Sequence, residues 1–218
     1  MSHILNERRI RALLTRHIKR SDWRRTDTLI PEYFVERAAR RADLVAVNGH
    51  LKAYEIKSDL DQLSRLAGQI EVYSRYFESV TVVCTRKHLD SVVTRTDAAI
   101  GVMCVSDEGF EYVRAARQRD IDVDAWLSHL PITAIREALK CRGIRCPRVD
   151  RAEVLAVARG CMSALDARST VFTYLKTEKR KQRVALSQRA RVHAVRDPLE
   201  EHRAMLREYI DSRGIAMY

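Results

Sequence analysis

Residues 43–57, DLVAVNGHLKAYEIK, decide the fold. Two apolar runs, Leu44-Val45-Ala46-Val47 and the stretch from Leu51 to Ile56, flank Asn48-Gly49-His50 and read as an antiparallel hairpin. Asn-Gly favours a two-residue type I′ turn, which would pair Val47 with His50 and put Asp43 and Glu55 on opposite faces. A three-residue loop over residues 48–50 instead pairs Val47 with Leu51 and sets Asp43 opposite Glu55. Alternation places Glu55 and Lys57 on one face of the second strand and Ile56 on the other. An acid and a base on an otherwise apolar strand have two readings. One is the solvated face of an edge strand. The other is a metal site, because hard divalent cations take carboxylate oxygens. The second requires the odd loop or a β-bulge, against the local turn preference.

Outward from the hairpin, residues 28–34 form an extended run that supplies a first strand, and residues 4–19 form an amphipathic helix. Downstream, residues 60–77 read as a second helix, with Ser58 and Asp61 at capping-box spacing. Residues 80–84 and 100–105 read as strands. Beyond residue 110 the pattern is helical throughout. Pro131 opens a helix that Gly143 ends, Asp150 and Glu153 cap the next, and Asp197-Pro198 start a last one ending near Gly214. The expectation is an α/β core over residues 1–110 followed by an all-helical region over residues 111–218.

The chain has 218 residues, 46% of them hydrophobic and 32% charged, which is a globular composition. No apolar run approaches the ~20 residues of a membrane span, and the charged N-terminus has no apolar signal region. Five cysteines without CxxC spacing point to reduced, mostly buried thiols in a cytoplasmic protein, with no zinc cage or disulfide framework. The seven histidines are scattered, and no glycine-rich loop suggests a nucleotide cofactor. Net charge is +11, from 40 basic and 29 acidic residues. Residues 1–110 contribute 18 basic and 15 acidic side chains, residues 111–218 contribute 22 and 14. This excess points to a polyanionic partner, most simply nucleic acid.

Three further residues add to the hairpin. Glu32 lies eleven residues before Asp43, while Gln69 and Tyr73 are four apart on one helix face with Arg65 a turn earlier. A first Glu, then Asp, then E-x-K, then Gln-Ile-Glu-Val-Tyr resembles the PD-(D/E)XK nuclease superfamily. The likeness is to its RecB-like members with a QhxxY helix, and closest to a bacterial and phage branch. It covers residues 1–110. The resemblance implies a restriction-endonuclease-like mixed sheet flanked by helices, and a Mg²⁺- or Mn²⁺-dependent nuclease acting on nucleic acid, DNA favoured. In that reading Asp43, Glu55 and the Ile56 carbonyl hold the metal, and Lys57 orients the attacking water. Glu32 binds metal through water or assists the base, and Gln69 and Tyr73 position phosphate. Ala42 departs from the family's Pro-Asp pair, and Glu7 and Glu36 rival Glu32 as the first carboxylate. The alternative is a non-cleaving nucleic-acid-binding or regulatory module on the same fold.

The second half carries binding features. Window 168–196 holds nine basic residues against Glu178 alone, either a solvated helix face or a phosphate-tracking surface. With Arg65, the residues expected to touch nucleic acid are Lys176, Lys179, Arg180, Lys181 and Arg183. Residues 130–158 look like a SAP-type helix–extension–helix, a small DNA-binding unit, with a generic helical hairpin as the rival. A homo-oligomer is left open.

Overall fold

The structure, a computed structural model, describes residues 5–21, 23–35, 40–146 and 150–195, with side chains through residue 178 and at residues 180 and 181. Its centre is one six-stranded mixed sheet of β1 (Thr28–Val35), β2 (Arg40–Val47), β3 (Leu51–Lys57), β4 (Ser79–Thr85), β5 (Gly101–Ser106) and β6 (Gly109–Arg114), in that spatial order. The first three strands pair antiparallel, β3–β4 and β4–β5 parallel, and β5–β6 antiparallel. Parallel pairs need a crossover. Two helices supply them: α2 (Leu66–Tyr76) links β3 to β4, and α3 (Leu89–Arg95) lies between β4 and β5.

Helix α1 (Glu7–Arg20) starts where the Asn6 side chain accepts the Arg9 N–H at 2.9 Å. Its Ile10, Leu14 and Ile18, spaced by fours, bury against Leu44, Ile56, Val83, Met103 and Val105 on one sheet face. The opposite face, built on Val45, Val47, Leu51, Ala53, Val80 and Val82, packs against Leu66, Tyr73 and Phe77 of α2 and its C-cap. Helices α4 (Val123–Ser128), α5 (Ile132–Cys141), α6 (Arg151–Cys161) and the first turns of α7 (Ala164–Val195) join that same buried cluster through Trp126, Leu139, Ala158 and Val171. By compactness the chain divides into residues 1–176 and 177–218, so the compositional change near residue 110 falls inside the first unit. In the second unit the described backbone is helical through residue 195.

His129 ties α4 to this layer. Its Nε2 donates to the Tyr76 carbonyl at 2.8 Å, leaving Nδ1 to accept from the Tyr33 hydroxyl at 3.0 Å. Burial pushes its pKa down to about 4, so the ring is neutral, as this bonding requires.

The strands follow the sequence pattern, and the departures have physical reasons. Helix α2 begins at Leu66 rather than near residue 60, because Ser58 and Asp61 close an isolated turn. Asp61 Oδ2 accepts the Ser58 N–H at 2.8 Å, and the Asp61 N–H donates to the Ser58 carbonyl at 3.1 Å. Residues beyond 110 are not helical at once. Phe110, Glu111, Tyr112 and Val113 form an edge strand that is largely exposed, so no buried apolar run marked it. Gly143 ends α5 with φ at 73°, and Asp150 caps α6 by accepting the Glu153 N–H at 3.0 Å, as the spacing predicts. The expected helix after Asp197 lies outside the described residues. Only Cys84 and Cys104 are buried; Cys141 and Cys161 are exposed and Cys146 half-buried, so most of the thiols are not in the core. Among the described residues no helix is long and apolar enough to cross a membrane.

One glycine is required by close packing. A Cβ on Gly101 would lie 2.7 Å from Thr81 Oγ1 and 2.9 Å from the Ala116 backbone nitrogen. Gly101→Ala must therefore separate β5 from the segment after β6, with an expected loss of about 1–3 kcal/mol. Urea denaturation checks it, and a midpoint equal to wild type would contradict the close approach.

Candidate functional site

The hairpin loop contains three residues, Asn48, Gly49 and His50. Val47 pairs with Leu51 and Leu44 with Tyr54, and continuing that register sets Asp43 opposite Glu55. Gly49 takes φ 92°, which glycine adopts without a Cβ penalty. The local Asn-Gly preference for a two-residue turn is overridden. The apolar set explains why: a one-residue slip would part Leu51 and Ala53 from Val45 and Val47, with which they share the face under α2.

The β2–β3 ladder ends at Leu44–Tyr54, and Asp43 takes over beyond it. Its Oδ2 accepts the Ile56 N–H at 2.7 Å. Glu55 is almost fully buried and has both oxygens engaged. Lys57 Nζ donates to Oε1 at 2.8 Å and also to Gln69 Oε1 at 3.0 Å. The Tyr73 hydroxyl lies 3.1 Å from Glu55 Oε2 and 2.7 Å from the Arg41 carbonyl. Helix α2 brings in Gln69 and Tyr73 because residues four apart share a face. Asp43, Glu55, Ile56, Lys57 and Gln69 thus line one cavity of about 520 Å³.

Electrostatics are frustrated here. Burial first, then the Glu55 charge, pushes the Asp43 pKa up to about 7, against the lowering effect of the Ile56 N–H. Burial also raises Glu55, opposed by Lys57. Tyr73 is raised by burial and by Glu55 beside it, so it remains a neutral hydrogen-bonding group.

Glu32 does not enter this cluster. Pairing runs Pro31–Leu44 and Tyr33–Ala42, leaving Glu32 and Asp43 as the interrupted couple between them. The sum of partners is unchanged across the gap, so no residue is inserted. Glu32 nevertheless has φ 51°, the only positive value at a non-glycine residue among the described residues. Its carboxylate faces Arg11 Nη1 at 2.7 Å and Arg41 Nη1 at 3.0 Å. Arg11 also bonds Glu7 on its own helix. Those guanidiniums hold the Glu32 carboxyl below its ordinary range. Exposed ion pairs contribute little to stability, so they do not by themselves account for a left-handed glutamate.

Of the rival carboxylates, Glu7 lines the cavity and contributes to raising Asp43; Glu36 lies outside the described residues. Arg40, Arg41, Ser64 and Gly68 also border the cavity and were not singled out in the sequence, although Arg40-Arg41 stands just before Asp43. Arg65, expected to touch nucleic acid, borders it too. The basic residues of α7 that were expected to touch nucleic acid have these surroundings. Lys176 donates to the buried Asp27 at 3.3 Å, Arg180 is exposed, and Lys181 donates to Glu178 at 2.8 Å. The side chains of Lys179 and Arg183 lie outside the described residues. Arg168 serves the core: it donates to Glu78 at 2.9 Å and to the Gly49 carbonyl at 2.5 Å, with its guanidinium 4.4 Å from the Phe172 ring centroid.

Among the described residues no group of three His, Cys, Asp or Glu is placed to hold a metal ion. Two carboxylates meet, with their ammonium and phenol partners already hydrogen-bonded to them.

Residues 1–199 match the family described as Bacteriophage P4 protein cII. Protein cII of Enterobacteria phage P4 is 38% identical over 103 residues, covering 47% of this chain and 39% of that protein. The chain thus spans about two fifths of the length of that curated relative. A solved structure of a protein of unknown function from Silicibacter pomeroyi aligns with 61% of this chain and 86% of its own, at 16% identity and TM-score 0.39. The family match overturns the assignment to the PD-(D/E)XK nucleases, and with it the expected hydrolase and endonuclease activity. The short E-x-K and Gln-Tyr spacings that suggested it record a hairpin register and a helix face, which a closed hydrogen-bonded cluster also requires. Matched over residues 1–199, the chain belongs to the bacteriophage P4 protein cII family.

Proposed function

We propose that the chain is a non-cleaving nucleic-acid-binding module with a regulatory role, built on a restriction-endonuclease-like core and acting on DNA in the cytoplasm. The observation that carries this reading is the border of the cavity. Exposed Arg40, Arg41 and Arg65 surround buried Asp43 and Glu55, so cationic groups stand where a phosphate backbone would pass. A net charge of +11 and membership in a phage family add support. The basic side chains of α7, and a SAP-like role for residues 130–158, supply the second binding element in this scheme.

The acidic floor suits one Mg²⁺ or Mn²⁺ ion. Its donors would be hard oxygens, the Asp43 and Glu55 carboxylates and the Ile56 carbonyl, and a cation beside Asp43 would favour the ionised form that burial opposes there. The cation would supply a Lewis-acid contact to a phosphate oxygen. Lys57 and Tyr73 keep Glu55 oriented, and Gln69 holds the Lys57 ammonium.

Labelled single- and double-stranded DNA, with Mg²⁺ or Mn²⁺, tests the reading. Binding without cleavage is the expected result. Replacing Lys179, Arg180, Lys181 and Arg183 should lower the slope of log K against log salt by roughly 0.7–0.9 for each phosphate that is no longer neutralised. Cutting by the wild type that disappears in Lys57→Ala, or no binding at low salt, defeats the proposal.

A further inference from the structure

Three observations meet at Glu32: a left-handed backbone inside an unshifted strand register, a carboxylate shared between two arginines from different elements, and a position beside the cavity that Arg41 and Glu7 line. We propose that the Arg11–Arg41 pair is a phosphate-binding site, and that the Glu32 carboxylate is its built-in placeholder, displaced when a phosphate arrives. The proposal rests on the nucleic-acid reading above for the source of that phosphate.

The geometry suits an exchange. Each Glu32 oxygen bonds a different guanidinium, Oε1 on Arg11 and Oε2 on Arg41, so the arginines are already spaced to span one tetrahedral or trigonal oxyanion. A phosphate presents more acceptor oxygens than a carboxylate and matches the guanidinium fork. Arg11 is held from its own helix by Glu7, which orients it without using the group that faces Glu32. Until a phosphate binds, the Glu32 carboxylate keeps two adjacent cations from repelling each other. Its displacement lets residue 32 leave the left-handed region, so release of backbone strain accompanies binding. An ordinary exposed salt bridge would need no such backbone.

The test compares wild type, Glu32→Gln, Glu32→Gly and the double variant Glu32→Gln with Arg41→Ala. The probes are inorganic pyrophosphate, followed by calorimetry, and a labelled DNA duplex, followed by anisotropy. Glu32→Gln keeps the side chain's shape, and Glu32→Gly removes the backbone strain, so a folding defect in one leaves the other to report. Both should bind pyrophosphate about threefold to tenfold more tightly than wild type, and the double variant should lose the gain. Glu71→Gln is the control for bulk charge, because Glu71 pairs with Arg75 at 2.7 Å on the exposed face of α2. An equal gain in Glu71→Gln, or no gain in either Glu32 variant, overturns the placeholder. If DNA binds all proteins alike and pyrophosphate affinity is indifferent to Glu32, this inference falls and the nucleic-acid reading stands. If pyrophosphate affinity rises as expected but no protein binds DNA, the site stands and the nucleic-acid reading falls.

Discussion

Asp43→Asn is expected to raise the melting temperature, and to raise it more at pH 8 than at pH 5. An acid with a pKa of 3.8 in the unfolded chain and about 7 in the folded one binds more protons when folded. Stability is therefore full below the unfolded value, falls as pH rises through the interval, and is lowest above about pH 7. An amide escapes that penalty while its Oδ1 still accepts the Ile56 N–H. The gain should be on the order of 2 kcal/mol at pH 8, or roughly 4–8 °C for a chain of this size. If Mn²⁺ binds as proposed, it should stabilise the wild type at pH 8, where the carboxylate is ionised, and this variant should lose that gain. A lower melting temperature at pH 8 would show that Asp43 is a stabilising anion, contrary to its surroundings.

Glu78→Ala should destabilise the fold more than removal of any of the exposed charges. Glu78 is buried between β3 and the first turns of α7. Its Oε2 accepts the Leu51 N–H at 2.6 Å, and its Oε1 accepts from Arg168 at 2.9 Å, with His50 Nδ1 at 3.6 Å. Its backbone also bonds the Leu51 carbonyl and the Arg119 N–H. Truncation leaves a buried N–H and a half-buried guanidinium without their acceptor, an expected loss of about 3 kcal/mol and roughly 6–12 °C. Glu78→Gln, which can still accept from Leu51, should fall between the two. A double-mutant cycle with Arg168→Ala isolates the pair. A midpoint within about 0.5 kcal/mol of wild type would show that the hairpin does not depend on this anchor.

Much of the sheet could be read from apolar alternation. Residues 43–57 left two registers open, because both strands are apolar on both faces; the three-residue loop, which puts Val45, Val47, Leu51 and Ala53 in one core, emerges only from the packing. That Gln69 and Tyr73 share a helix face was legible from their spacing; that the face meets β3 was not. Nor was the place of Glu32. Strand parity assumes an extended backbone, and the left-handed turn at Glu32 sends its carboxylate to Arg11 and Arg41 instead. The Glu78–Arg168 bridge was invisible because it joins residues ninety positions apart. Arg168 consequently looked like one cation in a basic window, when it is a structural pin. Strand β6 was hidden by its exposure. The meeting of Asp43, Glu55 and Lys57 was foreseeable from their positions. Their chemistry was not, because the same residues can close on one another as readily as they can attack a substrate.

The outer edge of the sheet is interrupted at β1. In β1, Pro31 offers no N–H to an incoming strand, and the turn at Glu32 breaks the straight run of the outer edge at the next residue. At the other boundary, the β5–β6 register shifts between Val102 and Met103, which twists β6 away from a flat ribbon. Pro31 and the turn at Glu32 both disfavour the addition of a further strand across β1. At β1, contact with a second copy would fall to side chains, where charge and shape decide partners, rather than to a backbone edge that would accept any strand.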